Sequence, residues 1–180
     1  MRRLLLTITG TLLLAAAAAQ SYTIGISNGF VGSEWRTLMV QDLERTAAAI
    51  KSEQGIDVTL VFENADVDVQ GQIQQIQNLL NKGVDAIIVN PNDQQALNLA
   101  LEEAVDEGVV VIAIDQEVSA QGAYNVVIDQ REWGATNARW LAEALGGKGN
   151  IVIIEGFVGH PANEDRMAGV MDVLSGYPDI

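Results

Sequence analysis

Three runs of this chain are apolar at every position: Ala86 to Val89, Val109 to Ile114, and Ile151 to Ile154. A strand with one face in water alternates apolar and polar residues. An unbroken apolar run of this length instead predicts a strand covered by helices on both faces. Further strand signals lie at Tyr22 to Ile26, Val58 to Phe62 and Tyr124 to Ile128, and helix periodicity fills the intervals. Met39, Leu43, Ala47 and Ile50 share one face of a helix over Leu38 to Ile50. Val69, Ile73, Ile76 and Leu80 do the same from about Asp68 to Lys82, with Gly83 just past the end. The glutamines of that helix (Gln70, Gln72, Gln74, Gln75 and Gln77) read as its solvated side. Asp93 precedes a helix carrying Leu97, Leu101, Ala104 and Val105 that stops at Gly108, and Asp129 with Glu132 opens another through Leu145 as a capping-box variant. Met167, Val170, Met171 and Leu174 mark a last helix. This regular alternation predicts an α/β protein with a doubly wound parallel sheet. It halts at Ile180, where another strand is due, so the chain reads as truncated.

The first nineteen residues stand apart from this pattern. Met1-Arg2-Arg3 is a positive start, Leu4 to Leu14 an apolar stretch too short to span a bilayer, and Ala15 to Ala19 a small-residue cleavage zone. Residues 1–19 therefore read as a Sec-type signal peptide, with Gln20 or Ser21 beginning the mature chain. No cysteine follows, which argues against a lipid anchor and excludes disulfides, and an exported protein of this kind suits the bacterial periplasm. The formal charge is −14, and loss of the two leader arginines leaves −16. An acidic chain without a basic run repels nucleic acid and anionic lipid, so neither is expected as a partner.

In a doubly wound sheet all strand carboxyl ends face one edge, where ligands bind. The residues following the strands here are Asn28 to Arg36, Asn64 and Asp66, Asn90 to Asp93, Asp115 and Gln116, Asp129, and Glu155 to Arg166. Asn, Asp, Gln and Arg are the side chains that exchange hydrogen bonds with polyhydroxylated ligands. Trp35 offers a flat apolar face beside the donor fork of Arg36. Helix capping accounts for Asp66, Asp93 and Asp129 without a ligand. It does not account for Asp115 followed by Gln116, nor for Asn90 before Pro91. Catalytic patterns are thin. The sequence has one histidine, His160, near Glu164 and Asp165, and no phosphate loop, dinucleotide fingerprint or nucleophile elbow. No enzyme, cofactor or metal site is expected.

The segments GSEWR at 32–36, KGVDAIIVNPND at 82–93, VVVIAIDQ at 109–116, and GKGNIVIIEG followed by ANEDRMAGVMDVLSGYPDI resemble the type I periplasmic sugar-binding proteins of ABC importers, the ribose- and galactofuranose-binding group. The resemblance implies a periplasmic-binding-protein-like I fold, bilobed, closing on one monosaccharide and docking on an inner-membrane permease, monomeric at full length. It places a first lobe at 21–128, complete, and a partial second lobe at 129–180. It makes Trp35 the indole that stacks on the sugar, Arg36 its polar neighbour, Asn90 and Asp115 hydroxyl contacts, and Arg166 the arginine reaching across the cleft. Gln116 stands where the group commonly has arginine, and His160-Pro161 where it has small residues. A sugar-sensing protein coupled to a chemoreceptor or signalling partner is the alternative. A sugar-responsive repressor of the same fold would need a DNA-binding helix-turn-helix where this chain has its leader.

Overall fold

The computed structural model describes residues 20–156 and 160–180; the predicted leader at 1–19 lies outside the described residues. Strands β1 (Ser21–Asn28), β2 (Asp57–Asn64), β3 (Ala86–Asn90), β4 (Val110–Asp115) and β5 (Tyr124–Val127) alternate with helices α1 (Glu34–Gln54), α2 (Val69–Asn81) and α3 (Asn98–Asp106). Helices α4 (Gln130–Ala144) and α5 (Pro161–Leu174) follow. All strand pairs are parallel, in the order β2-β1-β3-β4-β5. The order reverses between β1 and β3, and the crevice at such a switch point, outside the carboxyl ends, is where open α/β sheets bind ligands.

The core lies on the sheet face covered by α2 and α3. Ile76 and Leu79 from α2 and Leu101 and Ala104 from α3 meet Ile87, Val89, Val111 and Ala113 of the two central strands, all fully buried. At Gly25 a Cβ would come within 2.9 Å of the Leu79 side chain, so the glycine lets α2 sit close on β1. The opposite face carries α1, whose Met39, Leu43, Ala47 and Ile50 are only half-buried. α1 is longer than its apolar periodicity: Ser33 caps it by accepting from the Arg36 N–H, and it ends where Gly55 turns left-handed at φ 70°. α4 and α5 pack on each other rather than on the sheet.

Three sequence expectations are corrected. Ile151 to Ile154 forms no strand: Val152 and Ile154 are 90% and 93% exposed, and no described strand lies beside the run to take its backbone groups. A ladder is a relation between segments, and apolar residues alone do not make one. Asp66 caps no helix; its carboxylate accepts from the Val31 N–H at 2.7 Å, while Asp68 caps α2 through the Gly71 N–H. Asp93 accepts from the Gln95 and Ala96 N–H groups at 2.8 and 2.7 Å, which holds its carboxyl below the usual range, but α3 itself starts later, at Asn98, with no side-chain cap. Asp129 does cap α4 through the Glu132 N–H at 2.8 Å, whereas the Glu132 carboxylate turns to Thr136 and Arg139.

The α4–α5 crossing depends on two glycines. A Cβ on Gly134 would collide with the Arg166 carbonyl, and one on Gly169 with the Arg131 carbonyl. The Arg131–Asp172 ion pair that also joins the helices is exposed and contributes little. Gly169→Ala gains about 1 kcal/mol of helix propensity but forces two backbones apart, a strain of about 1–3 kcal/mol or more. The net effect expected in urea unfolding followed through the tryptophans is destabilisation, and a stabilised variant would contradict this packing.

Candidate functional site

Three neighbouring strands end on asparagine in register: Asn64, Asn28 and Asn90 close β2, β1 and β3 side by side. Asn28 donates to the Asn64 Oδ1 and to the Phe30 carbonyl, and its own Oδ1 accepts from the Arg36 Nη1. Arg36 is consequently only 5% exposed, anchored against the strand ends rather than turned to water. Below this row lie two buried glutamines of α2, against the expectation of a solvated side. Gln75 accepts from the Ser27 hydroxyl at 2.9 Å. Gln72 donates to the Asn90 carbonyl at 2.9 Å and accepts from the Asn92 N–H at 2.8 Å. Backbone groups at a strand end have lost their ladder partners, and amides carrying both donor and acceptor replace them.

Asp115 closes β4 in a left-handed conformation, φ 66°, the one non-glycine residue with positive φ among the described residues. The Gln116 N–H donates back to the Ile114 carbonyl at 2.7 Å, so Asp115 is the centre of a three-residue turn. Such backbone strain is characteristic of functional positions. Gln130, at the start of α4, donates to the Asp115 carbonyl and carboxylate at 3.3 and 3.4 Å and accepts from the Arg166 Nε at 2.7 Å. The guanidinium of Arg166 lies over the Trp133 ring, 4.0 Å from its centroid. That of Arg36 lies 5.5 Å from the centroid of Trp35.

These side chains meet in an open cleft of about 800 Å³ between the strand ends and the α4–α5 pair. Trp35, Arg36, Asp115, Trp133, His160 and Arg166 all line it. Burial lowers the pKa of both arginines, and the Asp115 carboxylate between them acts in the opposite sense. Both remain charged at any working pH. His160 is pushed down by burial first, then by Arg36 and Arg166, with Asp115 opposing. Among the described residues no group of His, Asp and Glu is placed to hold a metal ion.

Of the six residues picked out by sequence, Trp35, Arg36, Asp115 and Arg166 share this cleft. Asn90 and Gln116 do not line it. Asn90 is buried behind it, its Nδ2 near the Met39 sulfur and its Oδ1 accepting from Gln116 at 3.5 Å. Gln116 borders an adjoining hollow of about 460 Å³. Sequence reasoning missed Trp133 and Gln130, named Asn28 among the strand-end residues without giving it a role, and discounted His160. A signal for Trp133 was available: like Trp35, it sits in the first turn of a helix that follows a strand end.

Residues 24–180 match the family described as periplasmic binding protein domain. This chain belongs to that family. It is similar to type I sugar-binding proteins, by a parallel α/β fold and by sequence. The chain is 32% identical to the xylitol-binding protein of Mycolicibacterium smegmatis, covering 92% of this chain and 51% of that one. An ABC transporter solute-binding protein from Thermobispora bispora superposes with a TM-score of 0.77 at 30% identity, over 88% of this chain and 49% of the other. The fructose-binding periplasmic domain of a hybrid two-component system gives a TM-score of 0.74 at 26% identity, over 88% and 51%. The chain thus spans about half the length of these relatives.

The buried amides supply a sharp contrast. Gln72→Leu leaves the Asn90 carbonyl and the Asn92 N–H without partners, at about 1–3 kcal/mol each. Gln74, two positions on and exposed, bonds only Asn78, and Gln74→Leu should shift stability by less than about 0.5 kcal/mol. Equal midpoints for the two variants in urea unfolding would refute the buried role of Gln72.

Proposed function

We propose that this chain forms the monosaccharide-capturing cleft of a periplasmic substrate-binding protein that serves an ABC importer. The observation that carries the reading is the convergence of an indole, two guanidiniums and one strained aspartate in a single open cleft. In this reading the apolar C–H face of the sugar lies on Trp35, Asp115 accepts its hydroxyl protons, and Arg36 and Arg166 donate to ring and hydroxyl oxygens. The anchoring bonds to Asn28 and Gln130 hold both guanidiniums in place before ligand arrives, which lowers the ordering entropy of binding. The names of the relatives, one xylitol-binding and one fructose-binding, support a polyhydroxylated ligand.

The two walls correspond to a lobe at 21–128 and part of a second at 129–180, meeting at Ile128–Asp129. Ligand favours the closed arrangement by touching both walls at once, and the closed form is what a permease would read. Asn90 and Gln116 act from behind the cleft, by fixing the strand ends. Export by the N-terminal leader, delivery to the periplasm and a monomeric full-length protein belong to the same reading. Likeness to the periplasmic domain of a two-component system favours one other possibility, a sensor with the same cleft and a signalling partner. Growth on the bound sugar after deletion of the cognate permease separates the two.

Titration calorimetry with a panel of pentoses, hexoses and their alcohols tests the proposal, and absence of heat with every sugar counts against it. Charge-assisted hydrogen bonds contribute about 1.5–3 kcal/mol, so Asp115→Ala should weaken binding roughly 10- to 150-fold. Asp93→Ala removes only a turn cap and should change affinity less than about twofold. Equal losses would mean that Asp115 acts through the fold alone.

A further inference from the structure

Gln116, at the end of β4, and His160, the residue before α5, meet at the junction of the two walls. The Gln116 side-chain amide lies 3.0 Å from the His160 Nε2, and Gln116 is 3% exposed. Which end of the amide faces the ring follows from its neighbour. Asn90 presents its Oδ1 to Gln116 while its Nδ2 faces the Met39 sulfur, so the Gln116 nitrogen, the donor, points toward both Asn90 and His160. An NH₂ group only donates, hence the His160 Nε2 must accept, and the ring must be neutral with its proton on Nδ1. The Gln116 Oε1 is buried without a partner among the described residues, and the amide's other bond, to the Asn90 Oδ1, is long at 3.5 Å, so loss of the His160 bond is poorly compensated.

The surroundings agree with a neutral ring. His160 is the residue preceding the first turn of α5, whose Asn163 and Glu164 N–H groups donate to its carbonyl, and a helix N-terminus disfavours positive charge. Arg36 from α1 and Arg166 from α5 oppose protonation; Asp115 from β4 favours it. Further acids nearby are Glu155, beside the cleft, Glu164, in the first turn of α5, and Glu117, Asp129 and Asp165, which line the hollow that Gln116 borders.

We propose that the Gln116–His160 hydrogen bond is a latch between the walls, and that His160 is a positioning residue which holds α5 over the ligand only while its imidazole is neutral. The proposal rests on the sugar-cleft reading and adds a proton to its equilibrium. In the closed arrangement a protonated ring would set donor against donor. Closure therefore carries no penalty above the midpoint of His160 in the sugar-free chain, and below that midpoint affinity falls by up to about tenfold per pH unit. Gln116 and His160 were the two departures from the sugar-binding pattern in the sequence, and here they are partners.

The chain has one histidine, so its ring nitrogens give one set of NMR signals. Nitrogen-15 spectra of the whole chain without sugar should report the Nδ1–H tautomer and a midpoint below the ordinary range that rises in Gln116→Ala. An Nε2–H tautomer, or a midpoint indifferent to Gln116→Ala, overturns the proposal. Calorimetry with D-ribose, D-xylose and D-fructose from pH 5 to 8 supplies the second readout. Affinity of wild type should drop below the sugar-free midpoint read from the nitrogen-15 spectra, while His160→Asn, whose amide oxygen accepts at every pH, should show a flat profile whatever its affinity at about pH 7.5. His160→Ala should bind about two- to tenfold more weakly at neutral pH. A wild-type profile that is flat, or that His160→Asn reproduces, contradicts the latch. If none of the three sugars binds at any pH, the sugar reading fails, and the nitrogen-15 spectra still decide whether the latch exists.

Discussion

A parallel sheet brings every strand's carboxyl end to one edge, and at that edge the backbone runs out of ladder partners. Here the unmet groups are answered by side chains: Gln72 takes the Asn90 carbonyl and the Asn92 N–H, Gln75 the Asn28 carbonyl, Asp66 the Val31 N–H. The same requirement places asparagines at the ends of β1, β2 and β3, and Asn28 then fixes Arg36. The polar rim exists because the sheet must end, and the cleft uses what the ending puts there. Order β2-β1-β3-β4-β5 makes room for it by sending neighbouring connections to opposite faces of the sheet.

The second wall is joined to this edge by few bonds. Gln130 bridges Asp115 to Arg166, and Gln116 meets His160; α4 and α5 otherwise pack on each other around Gly134 and Gly169. A small set of polar contacts between two separately packed bodies is what a hinge needs. Each contact can break without exposing a core, and under the proposed function ligand would decide between the arrangements. Trp133 serves the second wall as Trp35 serves the first, by lying against its guanidinium.

Strands β3 and β4 were legible because a strand buried on both faces must be apolar throughout, and in Ala86 to Val89 no other reading fits. The same logic failed at Ile151 to Ile154, whose residues are as strand-like but lack a neighbour among the described residues. α2 was misread for a different reason. Its apolar residues fit a face through Val69, Ile73, Ile76 and Leu80, yet the fully buried positions are Gln72, Ile76 and Leu79, a face rotated toward the strand ends. The rotation is set by the hydrogen-bonding demand of residues 90 and 92, which no periodicity within the helix encodes. At the site, residue types and the family resemblance named Trp35, Arg36, Asp115 and Arg166, and all four line one cleft. Trp133 and Gln130 were hidden because their roles consist of holding Arg166, a partner more than thirty residues away.

The central claim is that one cleft, walled by strand ends and by α5, receives a monosaccharide. A crystal structure of the protein grown with the tightest-binding sugar tests it most directly. The account predicts the sugar ring on Trp35, with the Asp115 carboxylate and the Arg166 guanidinium each within hydrogen-bond distance of its oxygens. A sugar bound elsewhere, leaving Asp115 and Arg166 without contact to it, would contradict the account.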